Sequence, residues 1–346
     1  MQLKNKINLS ILKKKDLRLD KFIEYSLYLK EGYYSNKQPI GSKNDFITSP
    51  EISQMFGEII SLFILEKWSK EINSKFNLVE LGPGKGTLFS DLYRTCRIDP
   101  NFINNANIIF VEKNKVLKKI QKKIIENLRL KNVRWKNSIS INNKLPVIFY
   151  SNEFFDCFPI RHFIYKKFWN EVFVSYNKSE NRYYFKQKRV FSKILLNELT
   201  KHEENKIFEI SLQRNKYFNN ICKLINKYNG FCLLVDYGYT GKIKNFTLQT
   251  IRNHNFTNLF DNIGEQDISS HVNFDELIEI AKKNNLKIDE FSNQKDFLVK
   301  YGILERKKML INKNPFKKTD INIQIQKLIG NDQMGKLFKC LVISNK

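Results

Sequence analysis

The chain has 346 residues, enough for one large or two small domains with a buried core, and 60 Lys and Arg against 35 Asp and Glu give it a formal charge of +25. Such a charge suggests polyanion binding, but the lysines are spread along the whole length among Asn and Ile. No Lys/Arg block interleaved with aromatics forms a binding stripe, so a DNA partner is not expected. The cysteines (Cys96, Cys157, Cys222, Cys232, Cys340) form no C-x-x-C, and His162, His202, His254 and His271 show no metal-ligand spacing. A disulfide framework and a metal centre are therefore not expected, and the apolar runs are strand-length, too short for a membrane span.

Residues 1–31 read as one or two amphipathic helices with Leu12, Phe22, Ile23 and Leu27 on the apolar side. A glycine-, proline- and aromatic-marked loop over 32–41 follows, in which Tyr33 and Tyr34 either pack or form a lid. Ser49-Pro50-Glu51 starts a helix that runs through Trp68. Strands and helices then alternate: strands at 78–81 and 108–111, a Lys-rich helix over 115–127, a short strand near 133–135, and strands at 147–150 and 231–235. Residues 168–176 and 182–185 read as a hairpin inside a long insertion, 239–273 as a second insertion of little regular pattern, and 338–343 as a closing strand. The first 20 residues carry no apolar stretch of a secretory signal and almost no Arg of a mitochondrial presequence. The expected compartment is a bacterial cytoplasm, or the mitochondrial matrix if the source is eukaryotic.

The strongest local signal is Phe76-Asn-Leu-Val-Glu80-Leu-Gly82-Pro-Gly84-Lys-Gly86-Thr-Leu88, an apolar strand, three glycines two apart, and a helix. Glycines let backbone turn sharply and approach a ligand where a Cβ would clash, and the helix that follows presents its positive end to the turn. Dinucleotide folds use G-x-G-x-x-G. The Glu-x-Gly-x-Gly-x-Gly spacing instead resembles the first motif of S-adenosylmethionine methyltransferases, and a carboxylate beside the loop suits a cofactor that carries an ammonium group. Glu112, 26 residues beyond Gly86, closes the next strand, where an acidic residue accepts the ribose hydroxyls of an adenosine or caps the following helix. Ligands of such sheets sit at the carboxyl ends of the strands, so Glu80 to Gly86, Glu112, Asn137-Ser138 and Ser151 to Asp156 should line one pocket.

In the last of these pieces, Asn152-Glu153-Phe154-Phe155-Asp156, two carboxylates and an amide follow a buried strand. Methyl transfer to nitrogen needs a positioned nucleophile and a proton acceptor, and paired carboxylates hold a guanidinium bidentately. Glu153 is assigned that role, with Asp156 second or holding its own loop. Thr48 and Glu51 either cap their helix or touch the methionine end of the cofactor. His271, close in sequence to Asp267, is a candidate base or a structural hydrogen-bonding group. Glu171 and Glu209, in the insertion, are candidates to complete an acidic pocket for a guanidinium substrate, or, each taken singly, read as ordinary exposed glutamates. Asp236, after the 231–235 strand, reads as an anchor of the sheet end.

Several blocks, in order, together resemble one family: Thr48-Ser-Pro50-Glu51 with Gly57-Glu58, Glu80-Leu-Gly-Pro-Gly-Lys-Gly-Thr-Leu88, Asn152-Glu-Phe-Phe-Asp156, Asp236-Tyr-Gly238, Thr247-Leu-Gln249 with Arg252 and His254, Gly264-Glu265-Gln-Asp267, His271-Val-Asn-Phe274, Gln294 with Phe297-Leu298, and Met334-Gly-Lys-Leu-Phe-Lys339. The first of them is preceded by Phe46-Ile. The family is the arginine methyltransferases of mitochondrial complex I assembly and their bacterial relatives. The resemblance implies an α/β, Rossmann-like methyltransferase with a mostly parallel seven-stranded sheet. It divides the chain into a helical N-terminal extension over 1–70, packing on the core, and a methyltransferase core over 71–346 with insertions near 160–228 and 239–273. It also implies S-adenosyl-L-methionine as cofactor, bound by Glu80, Gly82, Gly84, Gly86, Glu112, Asn152, Thr48 and Glu51. The implied protein substrate is the 49-kDa-type subunit of respiratory complex I. Transfer to RNA or a small molecule, or a cofactor-binding assembly chaperone without transfer activity, are the alternatives. Three positions depart from the family pattern: Val172 where an Arg is usual, Phe246 where an Asp is usual, and Asn293-Gln-Lys-Asp-Phe297 in place of Thr-Gln-Gly-Asp-Phe. All three lie outside the glycine loop and bear on how the substrate is read.

Overall fold

The computed structural model describes residues 2–14, 16–36, 47–200 and 206–345 of the chain. The end of the 32–41 loop, Phe46, His202 and the side chain of Leu12 lie outside the described residues. At the centre is a sheet whose strands lie in the order Lys287–Asn293, Phe338–Ser344, Gly230–Tyr239, Val147–Asn152, Phe76–Leu81, Ala106–Val111 and Val133–Lys136. The last five are parallel neighbours; Phe338–Ser344 pairs antiparallel with both Gly230–Tyr239 and Lys287–Asn293, and so is the one reversed strand of the seven. Val272–Asn273 pairs in parallel with the end of Gly230–Tyr239, so the sheet has eight strands where seven were expected.

The strand Phe76–Leu81 is buried along its whole length, as its continuous apolar run requires when both faces of a sheet are covered. Period-two alternation sends Phe76 and Leu78 into one layer and Val79 and Leu81 into the other. The first layer holds the helices Gln54–Glu71, Thr87–Cys96, Gln294–Lys300, Ile303–Lys313 and Lys318–Ile329. The second holds Leu212–Tyr228 and Phe274–Lys283. Helix Gln54–Glu71 buries Phe56, Ile60, Ile64 and Trp68, each worth roughly 1.5–3 kcal/mol of transfer from water. Its buried Glu58 takes two N–H bonds from Arg306, at 2.8 and 2.9 Å, tying the C-terminal helices to this layer.

The insertions carry sheets of their own. Leu17–Arg18, Arg161–Tyr165, Trp169–Asn177, Arg182–Arg189 and Ile207–Ile210 form a five-stranded antiparallel sheet. The 239–273 stretch, which showed little regular pattern, contains a three-stranded antiparallel sheet of Gln249–Arg252, Asn255–Phe256 and Asp267–Ser269. The segment 1–70 therefore does not behave as one helical layer. Helices Gln2–Lys14 and Leu19–Tyr28 pack against Ile160, Val174, Leu259 and Ile268 of the insertions, whereas Gln54–Glu71 packs on the main sheet.

Gly230, at the start of its strand, has φ of +127°, and a Cβ built there falls 1.9 Å from the carbonyl oxygen of Val147. That oxygen belongs to a neighbouring strand of the sheet and has nowhere to move. Gly230→Ala is expected to destabilise the protein by at least about 3 kcal/mol, read as a lowered urea midpoint at unchanged slope.

Candidate active site

The parallel strands deliver their carboxyl ends to one cavity of about 830 Å³, within the size range of small-molecule sites. Among its lining residues are Glu80, Gly82 to Lys85, Glu112, Asn137, Asn152 and Glu153, pieces that lie far apart in the chain. The turn after the first of these strands has positive φ at Gly82, Gly84 and Gly86 (62°, 57° and 88°), which glycine alone adopts without strain. A Cβ on Gly82 would lie 2.7 Å from the ring of Phe154, so this glycine also permits the two strand ends to meet.

Each acidic residue of the cofactor side is held by its neighbours. Glu80 accepts the Tyr150 hydroxyl at 2.9 Å, and burial pushes its carboxyl up to about 8. Glu112 accepts the amide of Asn114 at 2.7 Å and the amide of Gln121 at 3.4 Å, and burial raises its pKa. Gln121 in turn donates to the carbonyl of Gly84 at 2.7 Å and accepts Trp135 Nε1 at 2.9 Å, linking the glycine loop to Glu112. Helix capping falls to Asn114, whose side chain accepts the amides of Val116 and Leu117, leaving Glu112 at the cavity wall. Glu51 lies across the loop, accepting Lys85 Nζ at 2.9 Å and the Thr87 hydroxyl. Thr48 lines the cavity and makes no side-chain capping bond.

Also at the cavity wall, Glu153 occupies φ of +52°, a left-handed conformation uncommon for a residue with a Cβ. The cause is local: its amide donates to the carbonyl of Val235 at 3.0 Å, and the next two amides, Phe154 and Phe155, donate to the Asp236 carboxylate at 3.1 and 2.8 Å. Glu153 accepts Asn152 Nδ2 at 2.9 Å and the amide of Ser49 at 3.2 Å. Burial, reinforced by nearby Asp156, raises its carboxyl to about 8. Asp156 accepts the Tyr237 hydroxyl at 2.6 Å, its other carboxylate oxygen is buried with no partner among the described residues, and burial raises its pKa.

The remaining candidates stand apart. His271 does not line the cavity: its ring lies edge-on to Tyr237, its amide donates to Thr247, and burial lowers its pKa. Glu171 is buried in the five-stranded sheet, clasped by Arg161 through bonds of 2.7 and 2.6 Å. Glu209 pairs with His162 at 3.0 Å and accepts the Thr247 amide and hydroxyl; burial alone would raise its pKa, but these contacts hold it low. Phe246, the departure from the family pattern, stacks flat on His162 at 3.8 Å. Neither glutamate has a carboxylate open to a ligand cation. Residues that the sequence gave no reason to place at the cavity also emerge: Tyr28, Phe158 and Tyr217 line it, with Lys30 and Lys216. Tyr28, Lys30, Lys216 and Tyr217 come from the first helices and the insertion, whose sequences carry no ligand motif, and Phe158 lies just beyond the 152–156 piece.

A family model for S-adenosyl-L-methionine-dependent methyltransferases matches residues 59–292. The chain is 28% identical over 302 residues to the mitochondrial protein arginine methyltransferase NDUFAF7 homolog of Caenorhabditis elegans, covering 81% of this chain and 70% of that one. It is 26% identical over 340 residues to the mitochondrial protein arginine methyltransferase NDUFAF7 of Danio rerio, covering 91% and 80%. A crystal structure of a Burkholderia thailandensis protein bound to S-adenosyl-homocysteine superposes with a TM-score of 0.87 at 20% identity, covering 99% of this chain and 92% of that one. Glu112→Ala removes the carboxylate at the second strand end. It is expected to weaken S-adenosyl-homocysteine binding by roughly 10- to 100-fold in calorimetry, the loss of one or two charge-assisted hydrogen bonds.

Proposed function

The chain belongs to the family of S-adenosyl-L-methionine-dependent methyltransferases, and on that footing we propose that it methylates arginine side chains of a protein, with the 49-kDa-type subunit of respiratory complex I as acceptor. The observation that carries this reading is Glu153, a half-buried carboxyl group held at the wall of the cofactor cavity in a left-handed turn. The protein arginine methyltransferases among its relatives support the choice of arginine. These relatives are mitochondrial; a bacterial cytoplasmic location for this chain belongs to the same proposal. Among the described residues no helix is long and apolar enough to cross a membrane, and no group of His, Cys, Asp and Glu could hold a metal ion.

The site fits the cofactor. Three left-handed glycines bring backbone to the cavity, and two buried carboxyl groups, Glu80 and Glu112, face it. In this reading Glu112 accepts the ribose hydroxyls, the glycine loop and Glu80 hold the methionine portion, and Asn152 with Thr48 completes the wall. Glu51 acts by holding Lys85 and Thr87 of the loop in place. When bound, S-adenosyl-L-methionine supplies an electrophilic methyl group.

The protein's own groups then manage the acceptor. A guanidinium is protonated in isolation, so a nitrogen that gains a methyl group must shed a proton. Glu153 is placed to orient the guanidinium through paired N–H bonds and to take up that proton. Asp156 keeps the surroundings negative. A carboxyl raised to about 8 is a better proton acceptor than an ordinary glutamate near neutral pH.

Two measurements test the reading. Incubation of the protein with radiolabelled S-adenosyl-L-methionine and a lysate lacking the endogenous gene should label one polypeptide on arginine. Label in RNA or small metabolites, or none despite cofactor binding, would overturn it. Because the free enzyme must lose the Glu153 proton to act, kcat/KM is expected to climb as pH passes about 8. Glu153→Gln should abolish that rise and lower kcat by roughly 100-fold or more.

A further inference from the structure

The cavity that Glu153 lines also presents aromatic surface. Tyr28 and Tyr34 line it, their rings stacked at 5.7 Å and 21°. Both hydroxyls are already engaged by the protein: Tyr28 donates to the carbonyl of Cys157 at 2.9 Å, and Tyr34 to Asp267 Oδ1 at 2.6 Å. What these residues offer a ligand is therefore their ring surface. Tyr28 remains 38% exposed, a large aromatic side chain left open although its polar atom is satisfied.

Carboxyl groups lie close by, and Lys30 and Lys216 share the cavity wall with them. Glu153 and Asp156 lie near, the latter 8% exposed with one carboxylate oxygen unpartnered among the described residues. The buried cation on this side, Arg214, donates to the carbonyls of Phe155 and His271 and to Ser270 Oγ. Aromatic faces beside carboxyl groups attract a cation, and a planar one stacks and pairs where a compact ammonium cannot.

We propose that Tyr28 and Tyr34, the latter set by Asp267, form the slot that receives the acceptor's guanidinium in the cavity that Glu153 lines. Asp267 is thus a positioning residue: it acts on substrate through Tyr34, fixing the ring from the strand Asp267–Ser269. This rests on the arginine reading above and adds what selects arginine over lysine.

Steady-state kinetics on the labelled arginine acceptor test it, with Tyr34→Phe, Asp267→Ala, Asp267→Asn and the double variant Tyr34→Phe/Asp267→Ala. Tyr34→Phe and Asp267→Ala should each raise acceptor KM about tenfold, with kcat and cofactor KM little changed. The double variant should be no worse than Asp267→Ala alone, because Tyr34→Phe then removes a bond already lost. Asp267→Asn keeps an acceptor for the Tyr34 hydroxyl and should restore most of the affinity. Additive effects, loss confined to kcat, or an Asp267→Asn variant as impaired as Asp267→Ala would overturn the slot. Calorimetry of methylguanidinium against methylammonium, on the wild-type protein with S-adenosyl-homocysteine, separates the two readings. A guanidinium preference lost in Tyr34→Ala, without arginine methylation by the wild type, would uphold the slot and sink the arginine-transferase reading. Arginine methylation without that preference would do the reverse.

Discussion

Carboxyl groups buried faster than the protein supplies cations set the character of this molecule. Glu80, Asp156 and Asp236 are buried at the ends of the parallel strands, and Glu153 beside them is half-buried. Burial raises every one of them above its ordinary range. Taking an isolated charge out of water is costly, so each is held by hydroxyl or amide donors, and part of the cluster stays poised between its charged and neutral forms. A ligand that brings positive charge, as a sulfonium cofactor does, offsets this cost.

Asp236 shows how backbone and charge are coupled there. Its carboxylate gathers the amides of Phe154, Phe155 and Tyr237, which turns the chain after Asn152 and leaves Glu153 left-handed at the cavity wall. A strand that simply continued would send Glu153 along the sheet. The same economy of donors appears on the cofactor side, where Gln121 bonds the glycine loop, Glu112 and Trp135 together. Both halves of the cavity are thus tied together in the same way, by polar atoms whose partners lie on different elements of the fold.

The cofactor half was legible because it is local. Strand, glycine turn and helix are consecutive, and their residues bring the ligand-facing backbone with them, as at Gly82. Glu112 and Asn152 followed from the rule that strand ends converge. Glu171 and Glu209 read as open carboxylates for lack of any sequence sign of Arg161 and His162, their partners across neighbouring strands. His271 looked accessible beside Asp267, but the fold gives Asp267 to Tyr34 and leaves the histidine off the cavity. The strand Lys287–Asn293 and the three-stranded sheet in the second insertion carry too little apolar alternation to announce themselves.

By itself, then, the sequence determined the parallel α/β layering and the cofactor loop, because periodicity and glycine spacing act over a few residues. Tertiary structure alone decided which carboxylates are open and which are paired. It also brought Tyr28 and Tyr34, from the first 36 residues, against Cys157 and Asp267 more than a hundred residues away. Pairing of that kind depends on which surfaces the folded layers press together, and hydrogen-bond partners separated by such lengths leave no spacing in the chain.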